Sequence, residues 1–191
     1  MIGNKIIFGF TGQIASGKGT ACDYLVAKYE ASSHRFSTAL RDLCDRLYLA
    51  KSRDNLQTMS TAIRNYFGDD MLSKVMAEDA AHDASDIICI DGVRRPGDVK
   101  NLREIPGFIL VHIFADMETR FERIIKRGEN IDDTKKTFDE FKTDHLKEAE
   151  IQIVDIAKEA DETIDNNGTL KELYEQLDKL VEKYANKDQT S

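Results

Sequence analysis

Ile6-Ile7-Phe8-Gly9-Phe10-Thr11-Gly12-Gln13-Ile14-Ala15-Ser16-Gly17-Lys18-Gly19-Thr20 opens as an unbroken apolar run, turns at glycines and ends where a helical pattern begins. An apolar run without alternation reads as a strand buried on both faces. The glycines let the backbone curl so that successive amides point inward, and the positive end of the following helix opens at the same point. Lys18 adds a mobile cation for the β and γ phosphates. The segment therefore reads as a phosphate-binding P-loop, with Gly12, Gln13, Ile14, Ala15, Ser16, Gly17, Lys18, Gly19 and Thr20 around a nucleoside triphosphate. Gly19 stands where a Ser or Thr usually follows the lysine. The hydroxyl comes one residue later, as Thr20, and is expected to reach Mg²⁺ through water.

The chain has 191 residues, 41% of them hydrophobic, enough to bury one sizeable core. Its formal charge of −8 is spread over interspersed acids and bases, which argues against a general nucleic-acid surface. Cys22, Cys44 and Cys89 are widely spaced in apolar contexts and read as buried reduced thiols rather than a disulfide framework. His34, His82, His112 and His145 have no metal-ligand spacing, and His112 reads as a satisfied imidazole in a strand. No apolar stretch approaches the ~18 residues of a membrane span, and Met1 to Lys5 lacks a signal-peptide profile. A cytoplasmic protein without membrane or nucleic-acid partners, monomeric or weakly dimeric, is the expectation.

Further strands are expected near His34-Arg35-Phe36, at Asp86 to Asp91, at Phe108 to Ala115 and weakly around Glu162 to Asp165. Helical patterns fall between them, carrying Leu40, Leu43 and Leu47, then Leu56, Met59, Ile63 and Phe67, then Met71, Val75 and Met76. Spacing of this kind is what core packing produces. Alternation of strand and helix predicts a five-stranded parallel sheet in a three-layer αβα sandwich. A helix to about Lys126, a polar segment at Gly128 to Asp133 and a long charged helix from about Thr137 to Lys158 follow. Thr169 is placed to cap a last helix whose Leu170, Leu173, Leu177 and Leu180 should dock on the sheet. The whole chain reads as one domain, 1–191, with a helical acceptor-binding subregion at 37–83 and a lid at 127–137.

Three sites beyond the loop could carry chemistry. Ile90-Asp91-Gly92-Val93-Arg94-Arg95 ends a buried strand, at the edge where open parallel sheets bind ligands. Asp91 could hold the water shell of Mg²⁺ and the arginines a second phosphate; the alternative is a turn with solvated charges. Arg120, Arg123 and Arg127 lie on the helix before the polar segment, with Arg123 and Arg127 on one face, where they could close over a transferring phosphoryl group. Pairing with Glu118 and Glu122 is the alternative. Arg41 begins the helices after the second strand. Asp144 and Glu148 read as a solvated pair.

The combination resembles the nucleotide-kinase branch of the P-loop phosphotransferases: nucleoside monophosphate kinases, adenylate-kinase-related proteins and dephospho-CoA kinases. Gly17-Lys18-Gly19-Thr20 resembles adenylate kinases, and Gly9 to Ile14 the opening of dephospho-CoA kinases. Phe36-Ser37-Thr38-Ala39-Leu40-Arg41 is similar to the start of the monophosphate-binding helices, and Asp91-Gly92-Val93-Arg94-Arg95 to the family's Asp-Gly-Phe-Pro-Arg. The resemblance implies a P-loop kinase fold with a helical acceptor-binding insertion and a short lid lacking zinc cysteines. It implies ATP and Mg²⁺, with Lys18, Asp91, Arg123 and Arg127 catalytic, Thr20 and Asp91 toward the metal, and Arg41 with Arg94 or Arg95 on a small nucleotide acceptor. A nucleoside or deoxynucleoside monophosphate kinase is the activity implied. A dephospho-CoA kinase and a regulatory NTPase are the alternatives, though no Asn-Lys-x-Asp guanine-reading motif is present.

Overall fold

The computed structural model describes residues 5–127, 137–144 and 148–187. Five parallel strands, β1 (Ile6–Thr11), β2 (Ser32–Arg35), β3 (Ile87–Val93), β4 (Phe108–Phe114) and β5 (Glu162–Asp165), lie in the order β2-β3-β1-β4-β5. β1 is central and wholly buried, as its unbroken apolar run requires. The strand order reverses direction at β1, so the chain leaving its C-terminal end enters the crevice where such sheets take ligands.

Helices cover both faces. α1 (Lys18–Tyr29) and α9 (Leu170–Lys187) enclose one core around Phe8, Phe10, Val111 and Ile113. α2 (Phe36–Arg46), α3 (Arg53–Phe67), α4 (Met71–His82) and α8 (Glu148–Ala157) contribute to the other, around Ile7, Ile88, Ile90 and Leu110. Each large side chain buried in these layers contributes about 1.5–3 kcal/mol. α5 (Pro96–Val99) and a single 3-10 turn at Leu102–Glu104 link β3 to β4, and α6 (Met117–Arg127) and α7 (Phe138–Asp144) follow β4.

Local signals account for several boundaries. Ser52 caps α3 by accepting from the Asn55 amide at 3.2 Å, and Gly68 ends it at φ 103°. Thr169 and Glu172 form a reciprocal box at the start of α9, with the Thr169 amide donating to Glu172 at 2.7 Å and the Glu172 amide to Thr169 Oγ1 at 3.3 Å. Leu173, Leu177 and Leu180 dock as expected, whereas Leu170 is exposed. The three cysteines are free and buried.

Two expectations need correction. The second strand ends at Arg35, and Phe36 opens α2. The helical Leu and Phe positions are not all core: Leu43, Leu47 and Phe67 are exposed. The buried stripe of α2 is Phe36, Leu40 and Cys44. Leu43 flanks that stripe, Leu47 falls past the last helical residue, and Phe67 is the last residue of α3, so periodicity carries them beyond what the sheet can cover. The expected long charged helix corresponds to α7 and α8. The polar segment at 128–133 lies outside the described residues, as do the side chains of Arg127, Asp144 and Glu148.

Candidate functional site

The loop after β1 is shaped by backbone conformations that few side chains permit. Gly17 has φ 106° and Ala15 φ 61°. A Cβ at Gly12 would overlap the Ile113 carbonyl oxygen, and one at Gly17 the Asn166 side-chain amide, so only glycine fits either position. Gly17 is the N-cap of α1 and offers no side-chain acceptor, and the first turn holds no acidic residue. The leading amides of this helix are thus left for an anion. Lys18 Nζ folds back over the loop, donating to the carbonyl oxygens of Gly12 at 2.6 Å and Gln13 at 3.1 Å.

Distant elements brace the loop from below. Asn166, 4% exposed at the end of β5, donates from Nδ2 to the Ser16 carbonyl at 2.8 Å. Arg123 donates to the Asn166 carbonyl at 2.8 Å. Arg120, only 2% exposed, donates to the carbonyls of Ala115 at 2.9 Å and Ile14 at 3.3 Å and lies over the Phe141 ring. α6 therefore does not carry a row of equivalent arginines. Arg120 is a brace, while Arg123 is half-buried, with burial lowering its basicity, and keeps a buried NH1 without a partner.

Asp91 stands opposite Phe10 on one side and Arg35 on the other. Its Oδ2 lies 3.5 Å from Arg35 Nε, and its Oδ1 is buried without a partner. Thr11 Oγ1 and Ser16 Oγ are in the same condition. A buried polar atom left unsatisfied costs about 1–3 kcal/mol, and here three gather at the C-terminal ends of β1 and β3. Thr20 lies in the first turn of α1, partly exposed. Carboxylate and hydroxyl oxygens are the ligands Mg²⁺ prefers, so the donor set fits that ion. His112, paired across the ladder with Thr11, is half-buried; burial and then the charge of Lys18 hold it below its ordinary basicity.

The segment after β3 is fixed by a contact that sequence did not reveal. The backbone amides of Arg94 and Arg95 donate to Asp98 Oδ2 at 2.9 and 3.0 Å. Asp98 Oδ1 accepts from Arg64 of α3 at 2.7 Å, both side chains being almost fully buried. Arg94 is exposed and Arg95 half-buried. Arg41 is exposed on α2 and has no ion-pair partner among the described residues. The structure thus brings the loop, Asp91 and Arg123 to one edge, with Arg94 and Arg95 leaving it. Arg41 lies in the second turn of α2. The shallow depressions on the exposed face of α3, by Gln57 and Tyr66, and between Asp70 and Lys100 are lined by none of these residues.

Sequence reasoning passed over Arg35, Arg64, Asp98 and Asn166. Asn166 falls just past the expected last strand, and Arg64 sits beside an apolar stripe. Nothing in a single sequence pairs Arg64 with Asp98, 34 positions apart.

A family model described as an AAA domain matches residues 11–142. A UPF0200 protein of Methanothermobacter thermautotrophicus is 25% identical over 189 residues, covering 98% of this chain and 95% of its own length. A UPF0200 protein of Methanosarcina barkeri is 31% identical over 128 residues, or 66% of this chain and 68% of that protein. Among solved structures, TT1252 from Thermus thermophilus superposes with a TM-score of 0.60 at 14% identity, covering 94% of this chain and 98% of that one. Shikimate kinase from Bacteroides thetaiotaomicron does so with a TM-score of 0.60 at 12% identity, covering 93% and 97%. At such identities the likeness is one of fold, and the P-loop kinase fold expected from the sequence is the fold of this chain.

Proposed function

Since the chain belongs to the AAA domain family, we propose that it is an ATP-dependent phosphotransferase acting on a small nucleotide, most simply a nucleoside or deoxynucleoside monophosphate. The observation that carries this reading is the cluster of buried, unpartnered oxygens of Thr11, Ser16 and Asp91 around the open N-terminus of α1. A bound polyanion with its hydrated cation would offset their desolvation.

Lys18 exchanges its two carbonyl partners for the β and γ phosphates of the donor, and the loop amides hold the remaining phosphate oxygens. Asp91 and Thr20 would hold Mg²⁺ through water; when bound, the ion offsets negative charge on the phosphates. Arg41 with Arg94 or Arg95 fixes the acceptor, and Arg123 with Arg127 neutralises charge on the transferring group. An oxygen of the acceptor phosphate forms a bond to the γ phosphorus as the bond from that phosphorus to the bridging oxygen breaks, its electron pair leaving with ADP. The attacking oxygen is already ionised, so positioning and charge neutralisation suffice without a general base.

Incubation of the purified protein with ATP·Mg²⁺ and a panel of nucleoside monophosphates, deoxynucleoside monophosphates and dephospho-CoA, with Lys18→Ala as blank, tests the reading. One monophosphate converted to its diphosphate is the expected result. Phosphorylation of dephospho-CoA would transfer the assignment to a hydroxyl acceptor. Slow ATP loss indifferent to every acceptor would replace it with a regulatory NTPase.

A further inference from the structure

Arg35 ends the edge strand β2 and faces Asp91 directly across the ladder. Its Nε stands 3.5 Å from Asp91 Oδ2, close enough for attraction but beyond a well-formed hydrogen bond. On its other side, NH2 lies 3.8 Å from where a Cβ would stand on Gly19. The guanidinium therefore reaches from the sheet edge, past β3, to the first turn of α1. Gly19 bears directly on this. A Ser or Thr hydroxyl following Lys18 would extend toward Arg35, and glycine leaves that space open.

Among the described residues, the Asp91 ion pair is the one contact that engages the donors of this arginine. Its side chain is 47% exposed, and it makes no protein hydrogen bond among the described residues. A structural arginine is spent otherwise: Arg64 and Arg120 each bond carbonyl or carboxylate oxygens in buried surroundings. Arg35 is drawn to the site by one carboxylate and left with its planar fork open, beside the helix terminus that would receive the donor phosphates. Exposed pairs of this kind contribute little to stability and exchange readily. A phosphate offers the two-point geometry that the fork matches.

On the phosphotransfer reading, we propose that Arg35 is a phosphate-binding residue of the acceptor half of this site, exchanging its contact with Asp91 for a bidentate grip on the acceptor phosphate. Arg35 is then a further cation on the acceptor side, with Arg41 and Arg94 or Arg95, and it reaches the first turn of α1.

The test measures binding, not turnover. Wild-type, Arg35→Met and Arg35→Lys proteins are saturated with AMP-PNP·Mg²⁺ and titrated with inorganic phosphate, followed by ³¹P NMR. AMP-PNP affinity is measured separately by calorimetry. The expected result is a phosphate affinity at least about tenfold weaker in Arg35→Met and intermediate in Arg35→Lys, which keeps the charge but not the fork. AMP-PNP affinity stays within about twofold throughout. Phosphate affinity unchanged in Arg35→Met overturns the inference, as does an equal loss of AMP-PNP. A wild-type protein that binds AMP-PNP but not phosphate overturns it while leaving the donor site standing. One that binds neither overturns the phosphotransfer reading itself.

Discussion

The loop at 12–20 and the helices α2 and α3 flank the same edge of the sheet, but they are held there by different means. The loop is tied to two distant parts of the chain: the Asn166 side chain donates to the Ser16 carbonyl and Arg120 of α6 to the Ile14 carbonyl, with Arg123 donating to Asn166 in turn. The α2–α3 region shows Leu47, Tyr48, Tyr66 and Phe67 to solvent. Its buried contacts include the α2 stripe of Phe36, Leu40 and Cys44 and the Arg64–Asp98 pair. On the proposed phosphotransfer the loop is the donor side and α2 with α3 the acceptor side, so substitutions on the exposed faces of those helices should alter acceptor affinity without disturbing the loop.

The bluntest way to break this contrast is Lys18→Ala. Turnover should fall by about 10²–10³-fold or more, the loss typical of removing one group that stabilises transition-state charge, with the melting temperature little changed; normal product formation would show that the loop is not the donor site. Next in size is Asp98→Ala. It strands Arg64 in the interior and should destabilise by about 3–5 kcal/mol in denaturant titrations. Replacing both partners by apolar residues should restore most of that stability but not acceptor affinity, because the Arg94 and Arg95 amides lose their carboxylate.

Asn166→Ala removes the brace under Ser16 and should cost about 1–3 kcal/mol of stability, with a fall in ATP affinity larger than any fall in acceptor affinity. Equal losses would erase the distinction between the halves. Arg41→Ala should raise the acceptor KM by about tenfold, or ~1.4 kcal/mol, while leaving the donor KM alone; a matched rise in both would remove Arg41 from the acceptor side.

The smallest effect concerns pH. Burial and Lys18 depress the basicity of His112 in the folded protein, so the unfolded chain binds a proton there more readily. The contribution of His112 is complete above its ordinary pKa of about 6.5 and is lost as pH falls from there toward the folded value. Stability should decline between about pH 8 and about pH 5 less in His112→Gln than in the wild type. Lys18→Met should move the His112 titration upward by NMR; an unmoved titration would mean that the lysine charge does not reach β4.

The same contrast governs what was legible in the sequence. The loop, Asp91 and the sheet were readable because each follows from local chemistry: an apolar run, a glycine where no Cβ fits, an acid at a strand end. Arg123 was found by its spacing, but its neighbour Arg120 has the same composition and a different fate, since burial against Phe141 and the Ile14 carbonyl depends on where α7 packs. Arg64, Asp98 and Asn166 owe their roles to partners 34 and 150 positions away, a relation that periodicity does not encode. Leu47 and Phe67 failed in the other direction, by obeying helical spacing past the point where the sheet ends.

The dependence of Ser16 on Asn166 also sets an order in time. During synthesis the glycine loop is made first, and the amide that satisfies the Ser16 carbonyl follows 150 residues later. β5 and α9, which seal the core over Phe8 and Phe10, follow at a similar distance. Nucleotide can stabilise only a loop that already has its shape, so it cannot shepherd the early stages of synthesis. Until β5 and α9 are made, that apolar face is left to chaperones, and truncation before β5 should yield a protein that neither binds its ligand nor stays in solution.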